Sequence, residues 1–579
     1  MGATVAMIHD NKTNIQYGEN NHTEYTWSPI QQERILQLSY QLVRTSDDKK
    51  ILSLSSIFKQ CFQTGNLHDR RLLLKLVAYT RDIEQGKGEY MLSFVLMKEL
   101  MELDYYLFTE MMKLFVGYNV TTSPSHNNIP YGSWKDIKYY IHHIRYCPTV
   151  LVTLINRQIS EDIVKMEYGQ PCSLAAKWVP REASKKFGWM TIIFAKDYYK
   201  HYGYSGWTPS ATRKAQTHYR QTISKLNKHI DTIQIKQCGH QWSKIDLNKV
   251  TGCTMIKQRQ AFLNINSNRY IGYDVKDRDI NRDRILCREK MILHIEMVKR
   301  YQTQDTEQDT QQNRDKYELK GKNIGMCNLV KAALTANTPE EVALINELWN
   351  NNSNQTQALD NVIAMIDLSN SMEENNSEAL YATIGLGIRV AEKSNLGKRI
   401  MVFTNIPTWI NLEDCPDFVS SVKKITQVER GTNADIYKVM ELILNTIVEN
   451  KIPAHDIESL IFAIFSDMQF DMCTQLSLPN VTTLRSNFAQ KYHDVGVQVC
   501  GRGYKVPHLL FWNMKTTCGF PDVSYQDGVS MISGYSPTLL NQFMERNKIY
   551  GDENMTPWLR LNNMLNKPRY SIINKLIPE

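Results

Sequence analysis

Residues 361–371, Asn-Val-Ile-Ala-Met-Ile-Asp-Leu-Ser-Asn-Ser, constrain this chain more than any other stretch. The run Val362–Ile366 has the length and β-branched content of a strand buried in a parallel sheet, and it stops at a carboxylate, Asp367. Ligands of such sheets bind just beyond the carboxyl ends of the strands, so Asp367 is expected at the rim of a site. Ser369 and Ser371 follow at alternate positions. In a loop this spacing turns one carboxylate and two hydroxyls towards a common point, a set of hard oxygen donors that suits Mg²⁺ or a similar divalent cation. Turns and helix caps use the same residues, so the pattern needs support from elsewhere in the chain.

Two later stretches supply it. Gly431-Thr432-Asn433-Ala434-Asp435 precedes an apolar helical pattern over 436–448, and Ser466-Asp467 ends a second apolar strand pattern, Leu460–Phe465. Together the three loops resemble the metal-ion-dependent adhesion site of von Willebrand factor A domains. The resemblance implies a site in which Ser369 and Ser371 bind Mg²⁺ directly and Thr432 binds directly or through water. Asp367 and Asp467 would act largely through bridging waters. Neutral hydroxyls leave the ion much of its charge, so a carboxylate from a partner protein or a phosphate is expected as its remaining ligand.

At 579 residues with 42% apolar content the chain has room for two or three domains with sizeable cores. Its apolar runs fall far short of the roughly 18 residues that would cross a bilayer, so no membrane partner is expected. Eleven cysteines without paired spacing read as free thiols of a reducing compartment, the cytoplasm, or a virion if the source is viral. Cys238 and His240 lack a second pair at zinc-ligand spacing.

The net charge of +8 is unevenly spread. Residues 171–300 hold 25 Lys and Arg against 10 Asp and Glu, an excess of 15, so the remainder of the chain sums to −7. Trp178, Trp189, Tyr198, Tyr199, Tyr202, Tyr204, Trp207, Tyr219 and Trp242 lie among these cations. Such a mixture contacts phosphates and stacks on unpaired bases, and the expected RNA-binding residues are Lys177, Trp178, Lys185, Lys186, Arg213, Lys214, Arg220 and Trp242. A solvated helical surface with its aromatics turned inward is the competing reading.

From Gln31 to about Ala215, amphipathic segments recur at Ile35–Val43, Ile51–Phe62, Leu72–Tyr79, Met91–Leu103 and Tyr105–Val116. Ser133-Trp134-Lys135-Asp136 has capping-box spacing and predicts a helix over Trp134–Ile144. Gly86-Lys87-Gly88 lacks the spacing of a phosphate loop and reads as a turn between helices with Lys87 exposed.

Arg81-Asp82-Ile83-Glu84-Gln85-Gly86-Lys87-Gly88-Glu89, Tyr131–Ile137, Ala175–Pro180, Gln237–Phe262, Phe465–Phe470, Phe511-Trp512-Asn513 and Gly528–Ser536 resemble an uncharacterised family of plants, fungi and giant DNA viruses. In that family a helical region precedes a von Willebrand A-like domain. More distantly, the same architecture and two of these elements, Gly86-Lys87-Gly88-Glu89 and Gly132-Ser133-Trp134-Lys135-Asp136, are similar to the TROVE module of Ro autoantigen proteins, in which a ring of HEAT-like helices binds RNA. This resemblance implies RNA as a partner, engaged through ends or single-stranded segments.

Residues 303–316 contain no apolar side chain and read as a linker; Thr338-Pro339-Glu340-Glu341 predicts a helix start. Strand and helix patterns then alternate through Val362–Ile366, Ala379–Glu392, Arg399–Thr404, Asp435–Val448, Leu460–Phe465, Val495–Cys500, Leu509–Trp512 and Val529–Ser533. The expected fold is multidomain. An all-α, HEAT- or TROVE-like helical-repeat part spans 1–302, connecting helices span 317–350, and an α/β doubly wound, von Willebrand A-like domain spans 351–579.

The expected function is non-enzymatic RNA or ribonucleoprotein binding with a Mg²⁺-dependent partner site. The alternative is a structural or scaffolding protein, viral in origin, whose A-like domain holds another protein. Hydrolase chemistry is disfavoured, because two-metal catalysis wants several convergent carboxylates and this site dilutes Asp367, Asp467 and Asp435 with hydroxyls.

Overall fold

The computed structural model describes residues 15–20, 22–118, 130–265, 281–303, 317–404, 406–431, 435–470, 484–541 and 556–577. The chain is multidomain, with a helical N-terminal part and a mixed six-stranded sheet in its C-terminal part. Apart from Thr303, the expected linker lies outside the described residues.

The amphipathic segments fold as helices Gln31–Gln41, Asp48–Thr64, Leu67–Arg81, Tyr90–Leu103 and Tyr105–Val116, each packed on the next. Short side chains start three of them. Asp47 accepts from Lys49 N and Lys50 N, Asn66 and Asp69 form a reciprocal capping box, and Asp104 accepts from Leu107 N. The helix at 135–144 begins differently from expectation. Only one arm of the box forms, Ser133 N donating to Asp136 Oδ2 at 2.8 Å, while Asp136 N donates to the Ser133 carbonyl instead of its hydroxyl; Arg81 binds the same carboxylate through Nε and Nη2 at 3.0 and 2.7 Å. Both partners are buried, and a side chain on Gly132 would collide with the Asp136 carboxylate.

The sheet contains β3 (Val362–Asp367), β4 (Arg399–Phe403), β5 (Thr408–Asn411), β6 (Ile461–Ser466), β7 (His508–Asn513) and β8 (Val529–Ser533), in the order β5-β4-β3-β6-β7-β8. Every neighbouring pair is parallel except β4 with β5. The edge strand β5 is not anticipated by the sequence patterns, since its Thr-Trp-Ile-Asn run is short and three of its four residues are exposed. Val495–Cys500 forms the end of a helix, Leu484–Cys500. The central strands are apolar on both faces because helices cover them, among them Glu374–Lys393 against β3, β4 and β6.

The two parts interlock. Helices Gln31–Gln41 and Pro557–Leu565 both pack against β8, so this sheet edge is covered. A short hairpin, β1 (Ile15–Tyr17) with β2 (Thr23–Tyr25), extends the contact through paired backbone bonds between Tyr25 and Phe520. Asp82 receives Arg569 Nη2 at 2.6 Å and the Tyr570 hydroxyl at 2.9 Å, tying the Arg81–Glu89 stretch to the C-terminal turn. Lys87, expected at the surface, is buried at this junction, and Gly88 takes the positive φ of +72° that the turn requires.

Candidate functional site

Strands β3 and β6 run parallel with Ile366 opposite Phe465, so the chain brings Asp367 and Ser466-Asp467 to the same end of the sheet. Asp367 is fully buried rather than open at a rim. Its Oδ1 accepts from Ser369 N at 2.8 Å and its Oδ2 from the Ser466 hydroxyl at 2.7 Å. The hydroxyls of Ser369 and Ser371 face each other at 3.0 Å, and Asp467 accepts from Gln469 N at 3.2 Å. Burial, with the neighbouring Asp467 charge second, pushes the Asp367 carboxyl up to about 7; burial likewise raises Asp467.

Two buried carboxylates beside two mutually paired hydroxyls form an oxygen donor set. These residues fit a hard divalent ion, which would relieve the carboxylate repulsion and replace the hydroxyl pair. Thr432 lies outside the described residues. Asp435 caps the helix Ile436–Glu449 by accepting from Lys438 N at 3.0 Å. Among the described residues no cluster of three His, Cys, Asp or Glu side chains is gathered to hold a metal.

One residue beside these loops escapes the sequence reading. Lys515, just past β7, pairs with Glu374 at 2.8 Å, donates to the Ser371 carbonyl at 3.4 Å and, by its charge, opposes part of the rise that burial gives the Asp467 carboxyl. Lys515, Ser371 and Glu374 border a cavity of about 290 Å³ that Arg44, Glu89 and Tyr535 also line. Its position two residues beyond Trp512-Asn513, at another strand's carboxyl end, is the sequence signal that marks it.

Several of the basic residues fall into local clusters. Lys177, Trp178 and Lys186 come together around Lys138, which lies outside the charge-rich window. Lys138 Nζ stands 5.0 Å from the Trp178 ring centroid and 5.1 Å from that of Phe187; Lys186 Nζ is 5.5 Å from both Phe187 and Tyr139. Burial, then the Arg181 charge, push the Lys138 ammonium down to about 8. Among the described residues no carboxylate pairs with Lys138, Lys177 or Lys186.

Lys185 and Arg213 are exposed, Lys214 lies 4.7 Å over the Tyr202 ring, and Arg220 is paired with Glu182 at 3.0 Å. Trp242 is engaged elsewhere. The Arg284 guanidinium covers its ring at 4.2 Å, Phe262 packs on its edge and its backbone N–H donates to Asp283.

The chain is 24% identical over 503 residues to an uncharacterized protein of Acanthamoeba polyphaga mimivirus, covering 82% of this chain and 77% of that one. A search of solved structures returns the Ro (RSR) protein of Deinococcus radiodurans, 11% identical, covering 89% of this chain and 99% of that one with a TM-score of 0.33. Residues 361–568, which include every described residue of the oxygen-rich site, match the family model of a domain of unknown function, DUF7788.

Proposed function

We propose that this protein is a non-enzymatic RNA- or ribonucleoprotein-binding protein whose von Willebrand A-like unit captures a partner through a divalent ion. The observation that carries the RNA reading is the ring cluster around Lys138. Four cations, Lys138, Lys177, Arg181 and Lys186, gather with Tyr139, Trp178 and Phe187, and the three lysines have no carboxylate partner among the described residues. A phosphate backbone neutralises such a set, and lysines on long stems swing aside as bases take their place on the rings. Unpaired segments or ends are the favoured targets, because an A-form duplex hides its base edges in a deep groove.

The strand order, with a central β3 whose end carries Asp-x-Ser-x-Ser, supports the A-like reading of the sheet unit. In that reading Ser369, Ser371 and, from the sequence resemblance, Thr432 hold Mg²⁺ with Asp367 and Asp467 behind them. A partner carboxylate or a phosphate completes the shell. The successive helices of the N-terminal part support the HEAT-like reading.

Filter binding of labelled single-stranded RNA to the full chain, against a blunt duplex of the same sequence, tests the proposal. Preferential retention of the single strand is the expected result. Retention of neither would leave the scaffolding alternative.

A further inference from the structure

A second cationic site lies where the C-terminal segment crosses helix Leu67–Arg81. There a cavity of about 380 Å³ is lined by His68, Arg71 and Lys75 from the helix and by Asn566, Asn574 and Lys575 from the C-terminal segment. Spacings of three and four residues put the three helix side chains on one face. Among the described residues no carboxylate lines the cavity. The nearest acid in the helix, Asp69, is committed to its capping box, accepting from Asn66 N at 3.2 Å.

Lys75 is the unusual member. It is only 4% exposed, and its ammonium, with three N–H donors, has one acceptor among the described residues, Asn566 Oδ1 at 2.6 Å. Burial, then the neighbouring Arg71 charge, lower its pKa from the ordinary lysine value. Arg71 is held alongside by its Nε donating to the Ile577 carbonyl at 2.9 Å. A buried cation beside a second one, with donors to spare, is stabilised by an anion that accepts several hydrogen bonds. The volume falls within the range of small-molecule pockets and exceeds what a single phosphate fills.

We infer that this cavity binds a small phosphomonoester, of mononucleotide or sugar-phosphate size, with Lys75, Arg71 and Lys575 on its phosphoryl group and the amides of Asn566 and Asn574 on its uncharged body. The inference is independent of RNA binding by the ring cluster around Lys138.

Isothermal titration calorimetry of the full chain with AMP, pyrophosphate and inorganic phosphate tests it, with sodium sulfate as the anion control. Saturable binding of AMP is expected, with pyrophosphate and inorganic phosphate weaker and sulfate at least about tenfold weaker. Lys75→Met should weaken that binding by about tenfold or more, through removal of a charge-assisted hydrogen bond. Lys575→Glu, at an exposed position, should do so without change in the circular dichroism spectrum, which guards against a Lys75 variant that fails to fold. No heat with any phosphate probe, equal affinity for sulfate, or unchanged affinity in Lys575→Glu would overturn the assignment. Binding only by a 5′-phosphorylated oligonucleotide, and not by AMP or pyrophosphate, would overturn the small-molecule assignment in favour of an RNA end.

Discussion

Lys87 Nζ donates to Ser533 Oγ at 2.6 Å, joining the turn after helix Leu67–Arg81 to the last strand of the sheet. The carbonyls of Leu42, at 3.1 Å, and Ser39 complete three acceptors for the three N–H bonds of a buried ammonium. Burial holds its pKa down at about 7, with Glu89 pulling weakly the other way. Lys87→Met removes all three hydrogen bonds and is expected to cost about 2 kcal/mol. The native lysine binds fewer protons than the unfolded one between about pH 7 and its ordinary value of 10.5, so its contribution rises with pH across that window and is least below it. Urea unfolding should therefore show a larger deficit for Lys87→Met at pH 9 than at pH 7. An equal deficit at both would mean that the amine keeps an ordinary pKa.

The Arg81–Asp136 pair makes the opposite kind of demand. Both side chains are buried, and two of the three guanidinium nitrogens, Nε and Nη2, converge on Asp136 Oδ2. Asp136→Ala strands the guanidinium and is expected to destabilise by about 3–5 kcal/mol, read by chemical denaturation. An Arg81→Met, Asp136→Leu double variant should recover part of that loss, because the uncompensated charge goes with the arginine.

Asp367→Ala should abolish the heat of Mg²⁺ or Mn²⁺ binding and any Mg²⁺-dependent partner capture. RNA affinity should persist, since the ring cluster around Lys138 belongs to other elements. Absence of divalent-ion binding by the wild type, together with an EDTA-insensitive set of partners, would reduce the oxygen-rich loops to helix capping.

Charge reversal at Lys185, Lys186, Arg213 and Lys214 should weaken RNA binding across sequences. It should also flatten the log–log salt slope by roughly 0.7 for each phosphate of a single strand that is no longer neutralised. Unchanged affinity and slope would identify a merely solvated surface.

The two tryptophans separate stacking from packing. Trp178→Ala should lower RNA affinity by about 1–3 kcal/mol, the value of one stacked base. Trp242→Ala should leave RNA affinity nearly unchanged and lower the melting temperature instead, because Arg284 and Phe262 already occupy its ring.

Local chemistry was legible in the sequence wherever the determinant lies within one turn or one strand. Helix Tyr105–Val116 follows from its 3.6-residue apolar period, and Thr338-Pro339 begins the helix Pro339–Ser353 as its capping residues predict. Apolar runs ending in Asp367 and in Ser466 became adjacent parallel strands. Tertiary structure decided what depends on partners distant along the chain. Gly86-Lys87-Gly88 read as a turn with Lys87 exposed, yet Lys87 is buried, along with Asp82 and Arg81, because Ser533, Arg569 and Asp136 meet them there. The charge window of 171–300 marked Lys177 and Lys186 but not Lys138, which joins them only through packing against Trp178 and Phe187. A buried ion or hydrogen-bond partner supplied hundreds of residues away leaves no local periodicity, so burial of a charged side chain is settled only when the fold brings its partner alongside.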